Sequence, residues 1–297
     1  MKLAKLLTLC SLVLLTVIIE ARPRILHQEK SMYRNIVVAQ EHGERCMIFG
    51  RLSRNPTRQS CYNVRSPGDL VFSYSKLVLA GFTQIQQPPK SVLVIGLGGG
   101  TIPMTLERLY PEASIDSVEI DPAVVRVAKE WFGYQESEKQ KVHAIDGRVF
   151  VKRQQMKKSK YDVIILDAFN GDYIPEHMMT LEYFLELKSI LTDDGLLMAN
   201  TFSTNKLYDH ESATYQKAFG NYYFAHSDRS GNRILYANLK AFNQYESHAA
   251  VQALKVKLER IGVNFNTFNE LMTNEVDWDP NAKILTDQFS PANLLKN

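Results

Sequence analysis

Glycines and carboxylates fall at the ends of successive apolar runs in this chain. Val92-Leu-Val-Ile-Gly96-Leu-Gly98-Gly99-Gly100-Thr101 is followed by Glu119 and Asp121, then by Asp146-Gly147, then by Asp167 and Asp172. Glycine lets a backbone turn sharply and approach a ligand with no Cβ in the way. The free amides of a helix opening at Thr101 would face whatever lies over the turn. An acid placed about twenty residues after such a turn accepts hydrogen bonds from ribose hydroxyls. Gly96, Gly98, Gly99, Gly100, Glu119 and Asp121 therefore point to a nucleoside-bearing cofactor. Thr101 stands at the third glycine position of G-x-G-x-x-G, which disfavours a dinucleotide and favours an adenosyl sulfonium. A glycine turn that serves only tight strand-to-helix packing is the plainer alternative.

The later acids suit different tasks. Asp146, beside Gly147, can accept from the exocyclic amine of an adenine. Asp167, carried to a cleft by the apolar run before it, can orient an attacking amine and receive its proton. Asp146 and Asp172 also fit as loop caps, because Asp-Gly and Gly-Asp are ordinary turn dipeptides. His177, Tyr173 and Asp172 are candidates for touching the second substrate, with Phe169 and Tyr183 as apolar walls or as core packing.

To gather these run ends along one edge, the chain needs a parallel sheet. Strands are expected at 92–95, 115–119, 142–145, 163–167 and 196–201, with helices at 101–110, 122–131, from 149, 181–191 and 212–219. That alternation gives an α/β doubly wound sheet, whose ligands sit beyond the carboxyl ends of the strands. A hairpin of 222–225 with 234–237 would close its edge, and 242–261 reads as an amphipathic helix with Val251, Leu254, Leu258 and Ile261 on one side. Residues 31–71 carry short apolar stretches between turn residues and read as a small N-terminal antiparallel β appendage. Pro88-Pro89 marks a hinge, so the chain divides into 1–24, 25–88, 89–240 and 241–297.

Composition narrows the class further. A chain of 297 residues with 45% hydrophobic content can bury one large core, and a net charge of +3 implies no nucleic-acid partner. Lys152-Arg153, Lys157-Lys158 and Lys160 read as a solvated helix end. Lys2 and Lys5 precede an apolar stretch at 6–19, which reads as a secretion signal or a short membrane anchor. The positive residues on its far side, Arg22, Arg24, Lys30 and Arg34, lean towards keeping the globular part inside. Cys46 and Cys61 flank a polar turn-rich stretch. As a hairpin pair they could form a disulfide worth roughly 3 kcal/mol by chain entropy, and as separate thiols they would simply be buried. No His or Cys partners sit at metal-ligand spacing, so no metal is expected.

The order of these motifs resembles the aminopropyltransferases, the spermidine and spermine synthases. The likeness covers most of 31–237: a β-rich N-terminal part, a tyrosine helix at 72–80, V-L-V-I-G-x-G-G-G, V-E-I-D-P, D-G, and Y-D-V-I-I-x-D. It is closer to a bacterial branch often fused to membrane segments, through Asp167-Ala-Phe-Asn-Gly-Asp172-Tyr-Ile-Pro175-Glu-His177-Met-Met-Thr180-Leu-Glu182 and Leu285-Thr-Asp287. The resemblance implies a Rossmann-like, methyltransferase-type sheet and aminopropyl transfer from decarboxylated S-adenosylmethionine to a diamine such as putrescine. It makes Asp167 the acid/base, Tyr74 the assistant of the attacking amine, Glu119 the ribose acid and Asp146 the adenine acid. Family enzymes are commonly dimers or tetramers, so a homodimer is expected. Two acids that hold the cofactor's amine in the family align with Gly99 and Asn170, and the residue after the tyrosine is Ser75 rather than histidine or glutamine. Each missing charge-assisted bond is worth roughly 1.5–3 kcal/mol. Methyl transfer from S-adenosylmethionine and a non-catalytic polyamine- or nucleoside-binding role are therefore the alternatives.

Overall fold

The structure, a computed structural model, describes residues 23–289 apart from 52, 54–56, 170–173, 205 and 228–230. The apolar stretch at 6–19, Asp172 and Tyr173 lie outside the described residues. Among the described residues no helix is long and apolar enough to cross a membrane.

The N-terminal part is an antiparallel sheet of β1 (Arg24–Lys30), β2 (Asn35–Glu41), β3 (Glu44–Phe49) and β4 (Arg58–Asn63), in chain order. His42 and Gly43, at φ 48° and 84°, make the two-residue turn between β2 and β3, whose twist matches that of the strands it joins. Cys46 and Cys61 lie directly opposite each other in β3 and β4 and are disulfide-bonded.

After the short helix α1 (Ser73–Ala80) the alternation begins: β5 (Ser91–Ile95), α2 (Thr101–Leu109), β6 (Ser114–Glu119), α3 (Pro122–Phe132), β7 (Gln140–Ala144), α4 (Gly147–Met156) and β8 (Tyr161–Leu166). It continues through α5 (Leu181–Ile190), β9 (Leu191–Phe202), α6 (Tyr208–Phe219), β10 (Tyr223–His226) and β11 (Asn232–Ala237). α7 (Ala249–Glu259), α8 (Phe265–Leu271) and β12 (Met272–Thr273) follow. The large sheet has the order β12-β10-β11-β9-β8-β5-β6-β7. β9, β8, β5, β6 and β7 run parallel, and β11, β10 and β12 join as an antiparallel edge. From β5 the chain winds outward through β6 and β7, then crosses to β8 and β9 on the other side. The strand order thus reverses between β5 and β8, where a crevice opens beyond the strand ends.

Burial on both faces explains the continuous apolar strands. Leu93, Ile95, Ile164 and Leu197 face a core with Phe150, Phe184 and Tyr215 of α4, α5 and α6. Val92, Val94, Val163, Ile165 and Met198 face a second core with Leu77, Leu106, Leu258 and Phe268. Each such side chain removed from water contributes about 1.5–3 kcal/mol. The N-terminal sheet is covered on both sides as well. Ile36, Val38 and Met47 pack on Val124 and Val127 of α3, while Val37, Ile48 and the two cysteines pack near Val71 and Phe72. It is therefore a wall joined to the main domain through α3.

Some expected spans shift. The helix expected over 242–261 is only α7, because Asn243 turns the chain at φ 59° with its amide donating to Gln84 Oε1. Val251, Leu254 and Leu258 are buried on it as the spacing requires, and Ile261 lies past its end. β9 begins at Leu191, directly out of α5, rather than at 196, and α6 begins at Tyr208 rather than at 212.

Candidate active site

The cleft, about 760 Å³, lies over the carboxyl ends of β5, β6 and β8 and is roofed by residues around β2 and β4. Its floor is the glycine turn. The Asp167 amide donates to the Ile95 carbonyl and the Gly96 amide to the Val118 carbonyl, each at 2.8 Å, so the turn leaves the sheet between β8 and β6. A Cβ on Gly96 would stand 2.1 Å from the Asp167 carbonyl oxygen, at a φ of +104°. Only glycine satisfies both conditions. Gly96 and Gly98 line the cleft. Gly99 and Gly100 instead make room for neighbours: a Cβ on Gly99 would meet Ser60 Oγ at 2.7 Å, and one on Gly100 the Tyr134 ring at 2.7 Å. The packing alternative thus describes two of the four glycines.

Glu119 finishes β6 in the cleft wall. Its Oε2 accepts from the Leu97 amide at 3.2 Å and its Oε1 from the Asp121 amide at 3.1 Å. Burial pushes its pKa up, against those amides and the Arg34 guanidinium. Each oxygen keeps a lone pair for a ribose hydroxyl. Asp121, expected to touch the cofactor, is turned away as the cap of α3. It accepts from the Ala123 amide at 2.9 Å and from Ser31 Oγ, with Arg34 at 4.0 Å, and is 1% exposed. Pro122 at the first helical position fixes that geometry.

Asp146 is a helix cap whose second oxygen lies on the cleft side. Oδ1 caps α4 through the Val149 amide at 2.9 Å, and Oδ2 meets His177 Nε2 at 2.9 Å on the cleft side. The His177 hydrogen bond is the largest influence holding its pKa down. Gly147 lets this loop sit on the sheet, since a Cβ there would be 2.7 Å from Ile95 Cγ2. His177, in the short 3-10 turn Glu176–Met178, lines the cleft with its ring half exposed. Behind it stands Arg148, which the sequence reading passed over. Its guanidinium makes paired bonds to Glu186, both at 2.8 Å, and to Asp287, at 2.6 and 2.7 Å, and donates to the His177 carbonyl at 3.1 Å. Thr180 Oγ1 also donates to Asp287, and the Asp287 amide donates to Glu182. The Thr180-x-Glu182 and Leu285-Thr-Asp287 motifs are two halves of this clasp.

Asp167 stands just past β8, facing the glycine turn. Tyr74 of α1 donates its hydroxyl to Oδ2 at 3.0 Å, and Asn200 of β9 donates Nδ2 to Oδ1 at 2.8 Å. Burial pushes Asp167 up to about 6, opposed by the Asn200 and Tyr74 hydrogen bonds and reinforced by Glu119. Tyr74 is raised well above the ordinary phenol range by burial and by the Asp167 charge, so it stays a donor. Asn200 was also missed. It lies inside β9 and is neither glycine nor acid, so the pattern of carboxylates at strand ends does not single it out. Among potential ligand clusters of the described residues, Glu44 with Cys46 and Cys61 has both sulfurs in the disulfide, which offers no thiolate.

The arrangement can hold an adenosyl group between Glu119 and Asp146 and present its sulfonium side to the half-buried Asp167 carboxylate. The spermine/spermidine synthase domain model matches residues 71–231. A polyamine aminopropyltransferase of Vibrio vulnificus is 46% identical over 276 residues, which span 92% of this chain and 91% of that protein. Among solved structures, a probable spermidine synthase from Corynebacterium glutamicum is 19% identical with a TM-score of 0.62, covering 85% of this chain and 96% of that one. Human methyltransferase-like protein 13, crystallised with SAH, is 26% identical with a TM-score of 0.56, covering 75% of this chain and 100% of that one. With the family model spanning more than half of the sequence and a relative matched along nearly its whole length, the chain belongs to the spermine/spermidine synthase family.

Proposed function

We propose that this chain is an aminopropyltransferase that moves the aminopropyl group of decarboxylated S-adenosylmethionine to a diamine such as putrescine. The observation that carries the reading is Asp167: a half-buried carboxylate with two donors on it, facing the glycine turn and raised to about 6. An amine bound beside it attacks the propyl carbon next to sulfur. The C–N bond forms as the C–S bond breaks, the sulfur keeps the electron pair as neutral methylthioadenosine, and the nitrogen's proton passes to Asp167. Tyr74 holds the carboxylate from one side and fixes which lone pair meets the amine. Glu119 and Asp146 serve the ribose and adenine, and Gly96 and Gly98 admit the backbone to the sulfonium side.

The second reading is methyl transfer from S-adenosylmethionine. It is favoured by Gly99, beside which Ser60 rather than a carboxylate fills the room, so that no acid at this position selects a cofactor amine. Incubation of the purified chain with each cofactor and putrescine separates them. Methylthioadenosine and spermidine from the decarboxylated cofactor support aminopropyl transfer. S-adenosylhomocysteine from the ordinary cofactor, without methylthioadenosine, sinks it. For the apolar stretch at 6–19 we keep the reading of an exporting or anchoring segment, which protease access to the intact cell's protein tests.

A further inference from the structure

Asp167 is held through a relay of two amides. Asn200 Nδ2 donates to Asp167 Oδ1 at 2.8 Å, and Asn200 Oδ1 accepts from Asn232 Nδ2 at 2.9 Å. Asn232 opens β11, which pairs antiparallel with β9, and lies opposite Phe202, one diagonal step from Asn200. Asn200 is 3% exposed and Asn232 9%, so water does not compete freely for either amide. The two ends of a primary amide, one a donor and one an acceptor, fit the same space. Which end of Asn200 faces the carboxylate is therefore decided by what its other end meets.

We propose that Asn232 is a positioning residue for the reaction: by donating to Asn200 Oδ1 it locks the Asn200 amide with its NH2 towards Asp167, keeping that carboxylate in the accepting state that an attacking amine needs. The inference rests on Asp167 being the base. Without the lock, Asn200 can turn its carbonyl to Asp167, and two acceptors then face each other unless the carboxyl carries a proton. The titratable groups facing Asp167 are Tyr74 from α1, which donates to the other oxygen, and Glu119 from β6, whose negative charge already favours protonation. Arg34 is engaged nearby, donating to the Phe169 carbonyl and standing 4.0 Å from Asp121. An amide that turned the wrong way would add to the Glu119 effect.

The test is the pH dependence of kcat/KM in Asn232→Asp and Asn232→Leu, with decarboxylated S-adenosylmethionine and putrescine as substrates. Asn232→Asp accepts from Asn200 and forces the turned amide, so the acid limb should move up by about one pH unit, with activity about tenfold lower below the limb and regained above pH 8. Asn232→Leu, which is neutral and only releases the lock, should move it in the same direction by less. Methylthioadenosine affinity, read by calorimetry, should stay within about twofold of the wild type in both. A wild-type limb in both variants, or an equal loss at every pH, overturns the inference. If Asn232→Asp does not fold, Asn232→Leu gives the same reading at smaller amplitude. Asp167→Asn is run alongside: full activity there removes the base and the relay with it, whereas loss of activity with an unmoved limb in the Asn232 variants overturns the relay alone.

Discussion

At the scale of residues, the site depends on one carboxylate whose surroundings set its proton affinity. Burial raises Asp167 from 3.8 to about 6, so the wild-type kcat/KM should fall on the acid side with a limb near pH 6 as the base takes up a proton. Tyr74→Phe removes a donor that stabilises the charged form. It should raise that limb and lower activity several-fold at pH 7, a shift that a purely structural role for the tyrosine would not produce. The stability sign follows from the same raised pKa. The contribution of Asp167 to stability is complete below about pH 4 and lost as pH rises through about 6, so Asp167→Asn should flatten that part of the denaturant-melt curve. Much of this was legible in the sequence: acids that follow successive strands of a parallel sheet belong at its carboxyl edge, and Glu119, Asp146 and Asp167 all line the cleft there. Asp121 obeyed the same rule yet became a cap, because Pro122 starts a helix behind it and directs its carboxylate to the Ala123 amide. Asn232 gave no signal, since a diagonal contact between paired strands has no counterpart in local pattern.

At the scale of elements, the glycine turn and the β3–β4 hairpin act as one piece. Ser60 of β4 occupies the room beside Gly99, so Gly99→Asp, which would restore the acid common in the family, should not gain affinity for the decarboxylated cofactor. Its side chain would run into Ser60 Oγ and the Phe132 ring, which lie 2.7 and 2.8 Å from the added Cβ. Thermal melts should show destabilisation of about 1–3 kcal/mol. The next residue after Ser60 is Cys61, whose disulfide to Cys46 spans 15 residues. Reduction, or Cys46→Ser with Cys61→Ser, should cost up to about 3 kcal/mol by chain entropy and loosen cofactor binding before it unfolds the main sheet. The hairpin and the facing sulfurs could be read from the sequence as one option among two. The contact of Ser60 with Gly99 could not, because it depends on how the N-terminal sheet docks through α3.

At the scale of the whole molecule, the winding order placed the site. Alternating runs and helices predicted the parallel sheet and the edge hairpin, and the reversal between β5 and β8 brings Gly96 and Asp167 together. What stayed hidden was closure from the far end of the chain: Asp287 reaches back to Arg148, beside the Asp146-Gly147 loop. Arg148 holds the pKa of Asp287 below the usual range. That contribution is present above about pH 4 and lost as pH falls through the depressed value. Asp287 is partly exposed, so Asp287→Ala should cost only about 1 kcal/mol in a melt while raising KM for the cofactor more than it lowers kcat. In the proposed reaction Asp167 accepts the proton of an attacking amine. The most direct test is the single-turnover rate of methylthioadenosine release by wild type and by Asp167→Asn, with cofactor binding measured on the same samples. A fall of about 10²-fold or more with binding retained is the predicted result. An unchanged rate would contradict it.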